Sequence, residues 1–103
     1  GFSGQKFAFH GYLPIDKIER AREIKNLELQ SWREKQTQIF IETPFRNNQL
    51  LADLLKTCKP STLLCVASNV TAPDESIQSF TIAEWRKRKD DFHKRPTIFL
   101  LFV

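Results

Sequence analysis

The chain is predicted to be one α/β domain, with a mixed five-stranded sheet and three helices in the order βαβαββαβ. Its 103 residues fit a single domain, and 41% apolar residues with nine Phe predict a packed core rather than a disordered tail. Apolar runs of strand length alternate along the chain with segments of helical period. We expect helices on both faces of the sheet, in a three-layer αβα-like arrangement.

Two strands are predicted in the first half of the chain. Phe7 to Tyr12 alternates apolar with smaller or polar residues, and a turn with Gly11 and Pro14 ends it. Thr37 to Glu42 is rich in β-branched and aromatic residues, and Pro44 stops it.

The helix between these strands is predicted from Asp16 to about Leu29, with Ser31 to Lys35 adding a short further turn. Asp16 is a typical N-cap, and Glu19 three residues later completes a capping-box pattern. One apolar stripe is expected to face the core: Ile18, Ala21, Ile24 and Leu27. The interspersed charges of this helix predict a solvent-facing side: Lys17, Glu19, Arg20, Arg22, Glu23 and Lys25.

A second helix and a buried strand are predicted next. Asn47 to Thr57 carries four leucines on one face, and Pro60 follows its end. Thr62 to Ala67 is a nearly continuous apolar run, which is typical of a strand covered on both sides.

The last part of the chain supplies two more strands and a short helix. A polar loop, Ser68 to Glu75, leads to a short strand from Ile77 to Phe80. Thr81 and Glu84 form another capping-box pattern and begin a helix. The final run, Thr97 to Val103, does not alternate, so we expect a central, buried strand that an Asp at Leu100 would unfold.

The connections predict the strand directions and one functional edge. Strands joined by a crossover helix run parallel, so the first three should be parallel to one another. The short loop after the third strand reverses the chain, and the fifth strand is then parallel to the fourth. The carboxyl ends of strands one to three and the amino end of strand five should therefore share one edge. Ligands of open α/β sheets bind at the carboxyl ends of the strands.

Motifs of a self-sufficient enzyme are missing from the sequence. The chain has three glycines, two of them within the first four residues, and no G-x-G-x-x-G, P-loop, G-x-S-x-G or H-E-x-x-H. Cys58 and Cys65 have no companions at metal-ligand spacing, so we expect two reduced thiols, no metal and a cytoplasmic protein. No apolar stretch approaches the ~20 residues that a membrane helix needs.

Several polar residues fall at the predicted edge, and each admits two interpretations. Glu42 and Arg46 could form a structural ion pair or hold a polar ligand. The turn from Gly11 to Pro14 could be a plain strand exit or part of a cleft. The basic segment 86–95 could be a solvated helix end, or it could hold an acidic partner or nucleic acid as a non-catalytic binding module. That segment contains Arg86, Lys87, Arg88, Lys89, Lys94 and Arg95.

Four short motifs resemble the C-terminal half of the tetrapyrrole (corrin/porphyrin) methylase family, nearest its ribosomal RNA small-subunit 2′-O-methyltransferase branch. They are Phe9-His10-Gly11-Tyr12-Leu13-Pro14, Glu42-Thr43-Pro44-x-Arg46, Thr81-Ile82-x-Glu84-Trp85 and Arg95-Pro96-Thr97. Their order and spacing cover essentially the whole chain. Two departures from the branch stand out: Phe45 occupies the place of a His, and Ala67 to Ala72 lacks the branch's charged residues.

The resemblance implies an S-adenosylmethionine-dependent methyltransferase whose cofactor lies in a cleft between two α/β domains. Residues 1–103 would form the C-terminal wall, inactive in isolation, and an N-terminal domain would carry the Gly-rich motif. The implied cofactor-binding residues are Glu42, Thr43, Asn69, Val70, Thr97 and Ile98. Tyr12, Pro14 and Arg46 would line the substrate cleft, and no residue is assigned a catalytic role. The resemblance further implies a homodimer and a tetrapyrrole or RNA substrate.

Overall fold

The computed structural model describes residues 6–103, in which five strands and three α-helices follow the predicted order. The strands are β1 (Phe7–Tyr12), β2 (Thr37–Ile41), β3 (Leu63–Ser68), β4 (Ser76–Thr81) and β5 (Thr97–Phe102). The helices are α1 (Lys17–Glu34), α2 (Asn47–Thr57) and α3 (Ile82–Arg86), and a short 3-10 helix, Pro44–Arg46, leads into α2. The predicted α/β class and element order are confirmed.

The sheet has the strand order β1-β2-β5-β3-β4. β1 and β2 are parallel, and β5 lies antiparallel to both β2 and β3, so β2 and β3 run in the same direction. β4 is antiparallel to β3 and therefore parallel to β5. All predicted directions are confirmed, and β5 is the central strand, as its apolar run indicated.

The helices pack on one face of the sheet, so the described residues form two layers and not the expected three. A single core cluster joins residues of α1, α2 and α3 to Phe40, Phe99 and Leu101 on that face. Across the sheet, the chain progresses from β1 to β2 to β3 in one direction and then steps back from β4 to β5. β4 and β5 also run opposite to the first three strands. Crossovers of the same hand then place all three helices on the same side.

The opposite face of the sheet carries apolar side chains that no described helix covers. Strand side chains alternate between faces, so Ile98 and Leu100 of β5 point away from Phe99 and Leu101. Exposed members of this uncovered face include Phe7, Phe9, Ile77 and Ile98.

Helix α1 begins as predicted and runs longer than predicted. Asp16 caps it, because its carboxylate accepts the backbone N–H groups of Ile18 and Glu19 at 3.1 and 3.0 Å. Lys35, in the left-handed conformation, ends it, so the segment from Ser31 belongs to the same continuous helix.

The predicted core stripe of α1 is only partly correct. Ile24 and Leu27 are buried, whereas Ile18 is 72% exposed. The buried positions of the helix are Arg20, Ile24, Leu27, Glu28 and Ser31. Arg20 takes the inward place in the first turns, so the prediction that it lies on a solvent-facing side is wrong.

No helix among residues 6–103 is long and apolar enough to cross a membrane.

Candidate functional site

The predicted edge exists, and the sheet register brings its parts together. Tyr12 at the end of β1 lies beside Ile41 at the end of β2, and Ile41 pairs with Ile98 at the start of β5. On the other side of β5, Ser68 at the end of β3 pairs with Thr97. The carboxyl ends of β1, β2 and β3 and the amino end of β5 therefore meet along one edge.

A cavity of about 350 Å³ opens at this edge, large enough for part of a small molecule. It is lined by Ile41, Glu42, Pro44, Ala67, Val70, Pro96, Thr97 and Ile98. Most of these residues are apolar, and they come from the ends of β2 and β3 and from the start of β5. Four of the six predicted cofactor residues are among them: Glu42, Val70, Thr97 and Ile98.

Thr43 and Asn69, the other two predicted cofactor residues, flank the lining residues along the chain. The Thr43 backbone N–H donates to Glu42 Oε1 at 2.8 Å. Asn69 adopts φ 52°, in the left-handed region, where Asn is better tolerated than most residues. Its backbone N–H donates to the Pro96 carbonyl at 2.9 Å, and its side chain donates to Asp74 Oδ2 at 2.9 Å. Asn69 thereby fixes the turn after β3 against the start of β5.

The Glu42 carboxylate turns inward, toward Arg20. The two charged groups are in direct contact, and the side chain of each is only 2% exposed. Arg46, the partner considered from the sequence, is farther away, with Nη1 3.9 Å from Glu42 Oε1. A buried carboxylate needs such a partner, because an unpaired buried charge is strongly unfavourable. Glu42 thus borders the cavity, and the Arg20 guanidinium compensates its charge.

Arg20 ties together the segments that border the edge. Its Nε donates to the Pro14 carbonyl at 2.7 Å, and its Nη1 contacts Asp53 Oδ2 at 3.1 Å. The same guanidinium contacts Glu42. The turn after β1, the end of β2 and helix α2 are therefore held by one side chain. The sequence analysis missed this role because it took every charge on α1 as solvent-facing.

The three predicted substrate-cleft residues all lie at this edge. Tyr12 is 63% exposed at the end of β1. Pro14 is half-buried, and Arg20 holds its carbonyl. Arg46 projects into solvent from the end of the 3-10 helix, with its side chain 48% exposed.

Buried polar groups support the edge from the helix-covered side. Thr97 Oγ1 donates to the Arg95 carbonyl at 2.8 Å and accepts from Asn47 Nδ2 at 3.1 Å. Asn47 Nδ2 also lies 2.6 Å from the Arg95 carbonyl. Within residues 6–103, Ser68 Oγ and Asn47 Oδ1 are buried without a hydrogen-bond partner. The Thr97 hydroxyl is thus engaged with Asn47 and Arg95, which leaves mainly backbone and apolar groups for a ligand in the cavity.

The basic segment 86–95 divides into two parts. Arg88 stacks over the Phe80 ring, with its guanidinium carbon 4.5 Å from the ring centroid, and also bonds Asp90. Arg86 donates to the carbonyls of Leu55 and Cys58 at 2.8 and 3.2 Å, near the end of α2. These two arginines are engaged in holding α3. The second part, from His93 to Arg95, lies beside the candidate cavity, where the Lys94 N–H donates to the carbonyl of the cavity residue Pro44.

Both cysteines are free and buried, as expected. Burial raises the pKa of the Cys58 thiol well above its usual range, and the nearby Glu28 charge adds to the effect. Burial also raises the pKa of Cys65. Thiols of this kind are poor nucleophiles and poor metal ligands. In the part of the chain that the structure describes, no three His, Cys, Asp or Glu side chains group closely enough to hold a metal ion.

Comparison with known proteins gives one curated relative and several solved structures. No family model matches the chain. Ribosomal RNA small subunit methyltransferase I of Pasteurella multocida (strain Pm70) is 30% identical over 87 residues. The match covers 84% of this chain, which spans about 30% of the length of that relative.

The fold resembles that of the methyltransferase CobJ, with a TM-score of 0.55 and 20% sequence identity. That match covers 96% of this chain and 41% of the CobJ chain. A second solved structure is uroporphyrin-III C-methyltransferase from Thermus thermophilus, complexed with S-adenosylhomocysteine. It has a TM-score of 0.48 and 15% identity, and it covers 95% of this chain and 42% of that one.

Proposed function

We propose that this chain, which belongs to the tetrapyrrole methylase family, forms one wall of the cofactor and substrate cleft of an S-adenosylmethionine-dependent methyltransferase. The observation that carries the proposal is the cavity at the edge of the sheet. Four residues expected from the family resemblance to touch the cofactor line it, and the connection rules had selected the same edge independently.

The chemistry of methyl transfer suits a site with few acid–base groups. The sulfonium of S-adenosylmethionine is already an activated leaving group, so in-line placement of the methyl group supplies most of the rate. A wall of backbone groups and apolar side chains is sufficient for this role. We assign Ile98 and Val70 to apolar contact with the cofactor, and the backbone at Thr43 and Thr97 to polar contact with it.

The proposal includes a second domain and a second subunit. An N-terminal α/β domain with the Gly-rich motif would close the cleft, so residues 1–103 alone would be inactive and would bind the cofactor weakly. The uncovered apolar face of the sheet, with Phe9 and Ile77 exposed, supports a homodimer. Two free, buried thiols suit a cytoplasmic protein. The methyl acceptor is a tetrapyrrole or an RNA.

Val70 offers the sharpest test because it lines the cavity and is 45% exposed. Val70→Trp in the full-length protein should fill the cavity at little cost in stability. We expect the affinity for S-adenosylmethionine, measured by calorimetry, to fall about tenfold or more, which corresponds to about 1.4 kcal/mol.

Leu29→Trp is the matched control. Leu29 is 47% exposed on α1 and is not among the cavity residues, so this variant should keep the affinity of the unmodified protein. Equal cofactor affinities for the two variants would rule out the cavity as the cofactor site.

A further inference from the structure

Helix α1 carries a second line of apolar side chains, on a side that does not face the sheet. Ile18 is 72% exposed, Leu29 is 47% exposed and Trp32 is 66% exposed, although all three are large apolar residues. Single exposed apolar residues are common on protein surfaces. These three, however, fall on one line along the helix, because three full turns separate Ile18 from Leu29 and one turn separates Leu29 from Trp32. They are termed here the outer stripe.

A cavity of about 270 Å³ lies beside one end of the outer stripe. It is lined by Lys25, Glu28, Leu29, Trp32 and Lys59. The Glu28 carboxylate is turned inward, where it accepts from the Lys59 backbone N–H and from the Thr62 hydroxyl. Glu28 as a whole is only 4% exposed. The cavity therefore offers an apolar wall and two lysines to a visiting side chain.

Cations flank the outer stripe. They are Arg22, Lys25, Arg33 and Lys59, all exposed. Within residues 6–103, none of these four side chains lies within ion-pair distance of a carboxylate. A helix turns by about 100° per residue, so Glu19, Glu23 and Glu34 project more than about 90° away from the outer stripe. The surface along the outer stripe therefore attracts anionic groups.

We propose that the outer stripe is the docking site for an acidic amphipathic helix of a partner protein. Helices pack along apolar positions that recur every three or four residues, and Ile18, Leu29 and Trp32 lie on such positions, with Lys25 in the same line. Carboxylates beside the apolar residues of the partner helix meet the flanking cations. One large apolar side chain of the partner enters the cavity beside Trp32.

The charge of the outer stripe disfavours a second copy of this chain as its occupant. A two-fold contact through α1 brings the same cations opposite each other, and like charges across an interface cost affinity. The uncovered face lies on the other side of the sheet from α1. A partner helix on the outer stripe therefore leaves that face open.

The test uses a synthetic peptide and the full-length protein. The peptide is a fluorescein-labelled helix of about 21 residues in three heptads, with Leu at the first and fourth positions and Glu at the fifth and seventh. Binding is followed by anisotropy at low and high salt. Trp32→Gln removes the largest apolar anchor and should weaken binding about tenfold. Lys25→Glu should weaken it about tenfold as well and should reduce its salt dependence.

Ile77→Gln and Lys87→Glu are the matched controls, because they make the same kinds of change at exposed positions outside α1. Both should leave the affinity for the acidic peptide unchanged. A second peptide, with Lys in place of each Glu, tests the charge directly. It should bind Lys25→Glu more tightly than it binds the unmodified protein.

Four results would overturn the proposal. The first two are the absence of saturable binding of the acidic peptide and an equal loss of affinity in Trp32→Gln and Ile77→Gln. The third is weaker self-association of Trp32→Gln in sedimentation equilibrium, which would assign the outer stripe to a second copy. The fourth is binding of a labelled single-stranded RNA that depends on Trp32 and Lys25 while peptide binding does not. The Val70 experiment uses another ligand and another surface, so the docking site and the proposed methyltransferase function fail separately.

Discussion

The two faces of the sheet differ although the same strands build both. On the helix-covered face Phe40, Phe99 and Leu101 are fully buried, and Phe40 stacks on Phe99 with ring centroids 5.8 Å apart. On the other face Phe9 and Ile77 are more than half exposed. The comparison teaches that an apolar strand pattern identifies residues that avoid water in the working protein. It does not say whether this chain or another one covers them.

The largest expected effect is a difference in stability between substitutions at two neighbouring positions of β5. Leu101→Asp places an unpaired carboxylate in the core cluster, and we expect a loss of about 4 kcal/mol or more, enough to unfold a domain of ordinary stability. Leu100 is only half-buried and lies on the uncovered face, so the unfolding that the sequence predicted for an Asp at Leu100 belongs to Leu101 instead. Leu100→Asp should stay folded.

Urea unfolding followed by circular dichroism measures both variants. Similar destabilisation by the two substitutions would remove the distinction between the faces.

The next comparison tests the buried ion pairs that border the site. Arg20→Met keeps an unbranched apolar stem but removes the guanidinium, which leaves Glu42 and Asp53 without their buried partner. Breaking a buried ion pair in this way costs about 3–5 kcal/mol. Arg22→Met, two residues along the same helix at an exposed position, should change the free energy of unfolding by less than about 0.5 kcal/mol.

The readout for this pair is the free energy of unfolding from denaturant titration. If both arginine variants were equally stable, Arg20 would not be the anchor that the geometry describes.

Much of the fold could be predicted because local chemistry and chain connection agree. The local signals are the β-rich run before Glu42 and the helix caps at Asp16 and Thr81. Together with the three crossovers, they fix the element order and the strand directions. The shared edge of the strand ends then follows from those directions, and the structure has this edge. The family resemblance named the residues there, and four of the six line the cavity.

What the sequence could not predict depends on contacts between distant segments. The two-layer arrangement needs the strand order β1-β2-β5-β3-β4, because only that order shows that the crossovers place their helices on one side. The sequence also does not show that Arg20 and Glu28 point inward, because a prediction from apolar periodicity places only apolar residues at buried positions. The partners of Glu28, the Lys59 N–H and the Thr62 hydroxyl at 2.9 and 2.6 Å, are more than thirty residues away.

The smallest expected change in stability concerns the uncovered face itself. Ile77 is 60% exposed on β4, so Ile77→Lys should alter the free energy of unfolding by less than about 0.5 kcal/mol. If a second copy covers this face, however, a lysine there must lose its hydration in the interface, and self-association should weaken about tenfold or more. Sedimentation equilibrium of the full-length protein measures this dissociation constant. Ile18→Lys is the control, because Ile18 is also exposed but lies on α1, across the sheet from the uncovered face. Equal self-association of both variants would show that the dimer uses another surface.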